Sequence, residues 1–214
     1  MSDSIVLKSW VDKAVSAAME SPCRSKRGCV ISNDDGLLVS SGFNHQPFPF
    51  QCDGSERCNQ NCGKTAVHAE QRAILSAHET LTNTWMLHVK AKGGKPCASM
   101  APSCLECSKL ILASGIAWMH LLHDPVAQML PSAVIVGEVE GLRSDGALGL
   151  LQIRRYSAAH FHWLTAEYFH HIELLLPKSP AARENGADTG DPRAIDKNGE
   201  QLSTGQSPKR QGLR

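Results

Sequence analysis

The chain has 214 residues, 42% of them hydrophobic, enough for one ordinary domain with extra segments or for two small ones. Its formal net charge of +1 gives no electrostatic reason to expect a nucleic-acid or membrane partner. The first twenty residues, interrupted by Asp12 and Lys13, lack the cationic stretch and apolar core of a signal peptide, and no apolar run reaches the roughly 20 residues that span a bilayer. A cytoplasmic, reducing location is therefore the expectation. There, closely spaced cysteines point to metal binding or catalysis rather than to a disulfide framework.

Leu7, Trp10, Val11, Ala14, Val15, Ala18 and Met19 form a helical stripe over residues 5–20, which Ser21-Pro22 ends. "RGCVIS" and "GLLVSSGF" flank "NDDG", an Asp-Gly hairpin signal, so two antiparallel strands follow. Residues 43–63 are rich in Pro, Gly and Cys and show no periodicity, which predicts a long loop. A second helix is expected from Ala66 or Val67, with Val67, Ala69, Ala73, Ile74 and Ala77 on its sheet-facing side. "TWMLHVKAK" predicts a third strand, "CLECSKLILASG" a third helix stopped by Gly115, and "IAWMHLLH" a central fourth strand. "AVIVGEVEG", within residues 124–150, is either an extra strand or part of a loop. Ser157 is a candidate N-cap for a last helix, "AAHFHWLTAEYFHHIELLL".

From 178 to 214 the sequence has no aromatic residue and few large aliphatic ones, so a disordered tail is expected after a domain spanning 1–177. The order of elements predicts an α/β fold, a three-layer α/β/α sandwich with helices on both faces of a mixed sheet.

His68 and Glu70 stand two positions apart in "KTAVHAEQRAIL", and Cys104 and Cys107 open the later helix in "APSCLECSKLIL". Catalytic zinc takes three protein ligands and keeps one position open. His68, Cys104 and Cys107 supply three, and the first turn of a helix favours thiolates. Glu70 is then left free to move protons between a water and a leaving group. The dull reading is a core histidine and unrelated thiols. H-x-E alone is weak and C-x-x-C alone could be a redox pair, but both together, each at a helix start, favour the metal.

These residues resemble the zinc-dependent nucleoside and nucleotide deaminases, whose signature is H-x-E followed by P-C-x-x-C. The resemblance covers residues 7–125 and is closest to the deoxycytidylate branch, since "SGFNH" is similar to that branch's G-Y-N-G and "CLEC" to its C-x-E/D-C. It implies a cytidine deaminase-like fold, a catalytic Zn2+ on His68, Cys104 and Cys107, Glu70 as proton shuttle, and Asn44 and Ala69 as substrate-binding residues. Three positions depart from the pattern. Ser103 stands where Pro directly precedes the first Cys, Arg72 stands where the branch has Asn, and His45 replaces the Gly after Asn44.

Cys52, Cys58 and Cys62, with five and three residues between them, suggest a second, structural zinc, with Cys23 or His45 as fourth ligand. Cys29 reads as a small buried hydrophobe, His120 and His123 as strand or core residues, and His160, His162, His170 and His171 as a polar helix face. Ser25-Lys26-Arg27 is a short basic cluster able to meet a phosphate.

The expected function is hydrolytic deamination of a free cytosine nucleotide or nucleoside with release of ammonia. The alternatives are a deaminase acting on RNA or DNA and a non-catalytic zinc-stabilised binding module. Near-zero charge and the lack of a basic-aromatic strip argue against nucleic acid, and the intact Glu70 argues against the bare module. Members of the superfamily often assemble, so the resemblance leaves a homo-oligomer open.

Overall fold

The computed structural model describes residues 3–53, 55–99, 103–125 and 133–175. The expected tail, 178–214, lies outside them. The elements run α1 (Asp3–Glu20), β1 (Lys26–Ser32), β2 (Leu38–Phe43), α2 (Glu56–Thr65), α3 (Ala69–Leu75), β3 (Trp85–Lys92), β4 (Lys95–Cys97), α4 (Leu105–Ala113), β5 (Trp118–His123), β6 (Val134–Leu142), β7 (Leu148–Ser157) and α5 (Ala158–Leu175). Among the described residues no helix is long and apolar enough to cross a membrane.

Seven strands make one mixed sheet in the order β2-β1-β3-β4-β6-β7-β5. β1 pairs antiparallel with β2 and along the whole of β3. The other edge of β3 is divided, with β5 parallel to it over Trp85–Leu87 and β4 antiparallel over Lys90–Lys92. Since β4 also pairs with β6, β6 with β7 and β7 with β5, these pairings close into a circuit. The fold is thus the expected layered α/β arrangement with a strongly curled second half.

Alternation along the strands sorts the core into two faces. Val30, Leu87, Val89, Leu122, Leu151 and Ile153 pack with Trp10, Val11, Ala14 and Ala18 of α1. Ile31, Met86, Met119, Leu121 and Tyr156 pack with Ala69, Ala73, Ile111, Phe161 and Leu164 of α3, α4 and α5. The α1 stripe is as the periodicity indicates except that Met19 is 44% exposed.

Two glycines let helices lie directly on the hairpin. A Cβ at Gly28 would fall 2.0 Å from the Ala14 carbonyl oxygen, and one at Gly42 would fall 2.5 Å from that of Ala69. Gly42 therefore seats α3 against β2, and that contact carries the first turn of α3 to the site described below.

One open alternative is resolved and other expectations change. The undecided "AVIVGEVEG" segment is strand β6, and its antiparallel partner β7 was not foreseen. Residues 43–63 are not loop throughout, because α2 begins at Glu56 under the N-cap Ser55, whose side chain accepts from the Cys58 amide at 3.1 Å. α3 begins at Ala69 rather than near Ala66. On α5, Ser157 Oγ accepts from the His160 amide at 3.3 Å, as a capping residue does. His162 Nδ1 lies 2.9 Å from Ser108 Oγ and so ties α5 to α4 instead of facing solvent.

His120 and His123 are buried, as the apolar strand implies. Burial pushes each imidazole from 6.5 down to about 4. Unfolded, both take up a proton near pH 6.5; folded, neither does until about pH 4. Between those values the unfolded state binds more protons, so stability falls as pH drops through that window. At 1.36 kcal/mol per pKa unit the loss is on the order of 3 kcal/mol for each group by the bottom of the window. The melting temperature should fall steadily from pH 7 to pH 4, and His120→Gln should make the fall shallower. A melting temperature independent of pH over this range would contradict the buried, neutral assignment.

Candidate active site

Two helix starts converge from the same side of the sheet. His68 is the N-cap of α3 and Cys104 the N-cap of α4, each in extended backbone just before its helix. The His68 amide donates to Gln71 Oε1 at 2.9 Å, and Cys104 Sγ accepts from the Cys107 amide at 3.4 Å. Both side chains are thereby held over the open end of a helix. His68 Nδ1 lies 3.2 Å from Cys104 Sγ and 3.2 Å from Cys107 Sγ, and the three ligand atoms lie within 4.8 Å of one another.

Tetrahedral zinc, with bonds of about 2.3 Å to sulfur and about 2.05 Å to nitrogen, needs nitrogen–sulfur edges of about 3.5 Å. The observed separations come close to that. The electrostatics agree. The Cys107 thiol, hydrogen-bonded to Cys104 and buried, is pushed far up, while that hydrogen bond and one from His68 pull Cys104 down to about 4. The pair thus shares one proton, which a divalent cation replaces on binding. Contact with Cys104 in turn raises His68.

Glu70 sits in the first turn of α3, 4% exposed, beside this triad. Ser103 Oγ donates to its Oε1 at 2.5 Å, and His88 Nε2 lies 3.8 Å from the same oxygen. Burial alone would raise Glu70, but His88, the Ser103 hydroxyl and the helix amide outweigh it and leave the carboxyl below its usual range. Burial holds the His88 imidazole below its usual range, while the Glu70 carboxylate pulls it the other way.

A histidine and two cysteines in zinc-ligand geometry, with a buried carboxylate beside them, suit metal-assisted hydrolysis. The family described as the cytidine and deoxycytidylate deaminase zinc-binding region matches residues 5–122.

The chain belongs to this deaminase family.

It is a hydrolytic, zinc-binding deaminase. Among solved structures it is similar to dCMP deaminase from the cyanophage S-TIM5, free (TM-score 0.40, 19% identity, 53% of this chain and 79% of that one) and with dCMP and dUMP (0.38, 20%, 53% and 77%). It is also similar to a diaminohydroxyphosphoribosylaminopyrimidine deaminase/5-amino-6-(5-phosphoribosylamino)uracil reductase from Thermotoga maritima (0.33, 21%, 53% and 28%). No curated protein matches the chain.

In this deaminase a cavity of about 690 Å3 opens over the triad. Ala69 and Asn44 both line it. Asn44 Oδ1 accepts from the Arg27 amide at 2.9 Å and Nδ2 donates to the Ser25 carbonyl at 2.8 Å. The side chain clamps the 25–27 backbone and keeps one amide hydrogen and one lone pair for a ligand. Arg72, one of the departures from the family pattern, stacks its guanidinium 4.1 Å from the Phe43 ring centre and is not among the cavity's lining.

The second cysteine group also assembles. Cys58 and Cys62 lie one turn apart on α2, with Cys52 Sγ 3.1 Å from Cys58 Sγ and 3.9 Å from Cys62 Sγ. Cys58 and Cys62 sulfurs are 3.6 Å apart, and Cys23 Sγ lies 3.9 Å from Cys62 Sγ. A ZnS4 tetrahedron needs sulfur–sulfur edges of about 3.8 Å, and a disulfide about 2.05 Å. None of these separations is that of a disulfide, and the sulfurs of Cys23, Cys52 and Cys62 lie within 4.8 Å of one another, a grouping that suits a metal, with Cys58 beside Cys52 and Cys62. His45, the other expected fourth ligand, instead has Nδ1 2.7 Å from the Gln46 carbonyl and its backbone paired with Val67.

Composition alone did not reveal that Arg24 and Lys90 join Ser25 and Arg27 on the cavity wall. Register could have shown it, since Arg27 and Lys90 are partners across β1 and β3. Lys26, by contrast, donates to the Ser21 carbonyl.

Proposed function

We propose that this deaminase acts on a free cytosine nucleotide, converting the ring's amine-bearing carbon to a carbonyl with water and releasing ammonia. One observation carries the phosphate. Arg24, Arg27 and Lys90 line the cavity together, and among the described residues none has a carboxylate within ion-pair distance. Three unneutralised cations in one concave site favour a ligand that brings negative charge. The dCMP-bound relative is consistent with this class.

His68, Cys104 and Cys107 would hold the catalytic zinc, which when bound lowers the pKa of a water beside it to about 7. Glu70 does the proton work. With Oε1 held by Ser103, Oε2 takes up the proton released as water adds to the ring carbon. It passes that proton to the adjacent ring nitrogen, then moves the remaining proton of the added hydroxyl to the amine, so that the carbonyl forms as the carbon–nitrogen bond breaks and ammonia leaves. The same carboxylate serves each transfer because its buried position keeps bulk water out. We further propose a second, structural zinc on Cys23, Cys52, Cys58 and Cys62. It would link the segment leading into Arg24 and Ser25 to the helix that precedes His68.

Arg27→Gln tests the phosphate assignment. Losing one charge-assisted contact should raise KM for the nucleoside monophosphate by roughly 10- to 100-fold. KM for the matching nucleoside should stay nearly unchanged. Equal effects on both, or none on the nucleotide, would remove the phosphate from this wall.

A further inference from the structure

Ser103 occupies the place where the deaminase signature has Pro, directly before the first cysteine ligand. Proline has no hydroxyl and could make no such bond. Ser103 is 8% exposed, and its backbone is fixed because Cys104, the next residue, caps α4. Its hydroxyl meets Glu70 Oε1 at 2.5 Å, and the His88 ring approaches that same oxygen. Both neighbours fall on Oε1. Oε2 carries neither contact, although Glu70 lines the cavity.

We infer that Ser103 is a positioning residue of the reaction: its hydroxyl pins one oxygen of Glu70 so that the other is presented to the substrate. The inference rests on the deaminase reading above. A carboxylate free to rotate about its last bond exchanges its two oxygens and loses alignment with the reacting atoms. A short hydrogen bond to one oxygen removes that freedom. The hydroxyl keeps its own proton throughout and only donates a hydrogen bond. Pinning by Ser103 also sets a requirement on size, since the hydroxyl must reach Oε1 from a backbone tied to the α4 cap. Threonine at 103 retains the hydroxyl; alanine does not.

Wild-type, Ser103→Ala and Ser103→Thr proteins should be compared with cytosine nucleoside monophosphates, with zinc content and melting temperature measured on each. In Ser103→Ala, kcat should fall roughly 10- to 100-fold while KM stays within about threefold, because the bond aligns a proton-transfer group and does not hold substrate. Zinc and melting temperature should be retained, and Ser103→Thr should recover most of the rate. A kcat for Ser103→Ala within about twofold of wild type would overturn the inference. So would a loss of rate that tracks loss of zinc, or a threonine variant no better than alanine.

Crystal structures of the wild-type and Ser103→Ala proteins give a readout that does not depend on turnover. The Glu70 carboxylate should leave its wild-type orientation or split between two. A carboxylate that superimposes on the wild type overturns the role of Ser103. Wild-type protein that released no ammonia from any nucleotide would instead overturn the deaminase reading, and the crystallographic comparison would still decide the role of Ser103.

Discussion

Glu70→Gln is expected to lower kcat by about 10⁴-fold or more while leaving fold and zinc content near wild type. Glutamine keeps the volume and can still accept the Ser103 hydroxyl, so the buried packing around it is undisturbed. What it cannot do is bind and release a proton near neutral pH. One positioned acid–base group contributes typically about 10²–10⁴-fold, and here one group serves successive transfers, which puts the loss at the upper end. Substrate should still bind, since Arg27, Lys90 and Asn44 are unchanged. Ammonia release within about tenfold of wild type, with zinc retained, would mean that another group moves the proton.

Cys104→Ser should abolish turnover by a different route. Serine is a strong N-cap, so α4 should keep its start even though Cys104 now caps it. The low thiol pKa that makes Cys104 a ready ligand is lost, and a neutral hydroxyl is a poor substitute for thiolate. Metal analysis should show one zinc fewer than wild type, with little change in melting temperature. Cys62→Ser should give the complementary pattern, losing the other zinc and stability together, because α2 has no apolar stripe of its own to hold it in place. Equal metal content in Cys104→Ser and wild type would contradict the assignment of the triad.

How the sequence disclosed the site explains these contrasts. His68, Glu70, Cys104 and Cys107 were legible because ligand chemistry fixes spacing within each motif and each motif sits at a helix start. The fold was legible because the α1 stripe has a period that matches its burial and the Asp-Gly turn marks the hairpin of β1 and β2, although β1 is buried almost throughout and β2 buries Ser40 and Gly42 instead of its aliphatic residues. α2 was hidden for a physical reason. Its sequence, "ERCNQNCGKT", is polar throughout, and the face it turns inward is made of Cys58 and Cys62 rather than of aliphatic residues. Hydrophobic periodicity does not register a face that is organised around sulfur.

The β7 strand was missed for another reason. In "LGLLQIRRYS" the buried Leu151, Ile153 and Tyr156 are out of strict alternation, and Arg154 and Arg155 sit between them on a strongly curled hairpin. The role of Ser103 could be suspected as a departure from the family pattern, but its partner could not. Its contact with Glu70 joins residues 33 positions apart in the chain.

Ammonia release by purified wild-type protein, compared between cytosine nucleoside monophosphates and the corresponding nucleosides, tests the central claim most directly. Zinc-dependent release from the monophosphates, lost with a chelator and restored by zinc, is the expected result, with the nucleosides turned over less efficiently. Zinc-loaded protein that releases no ammonia from any of them would contradict it.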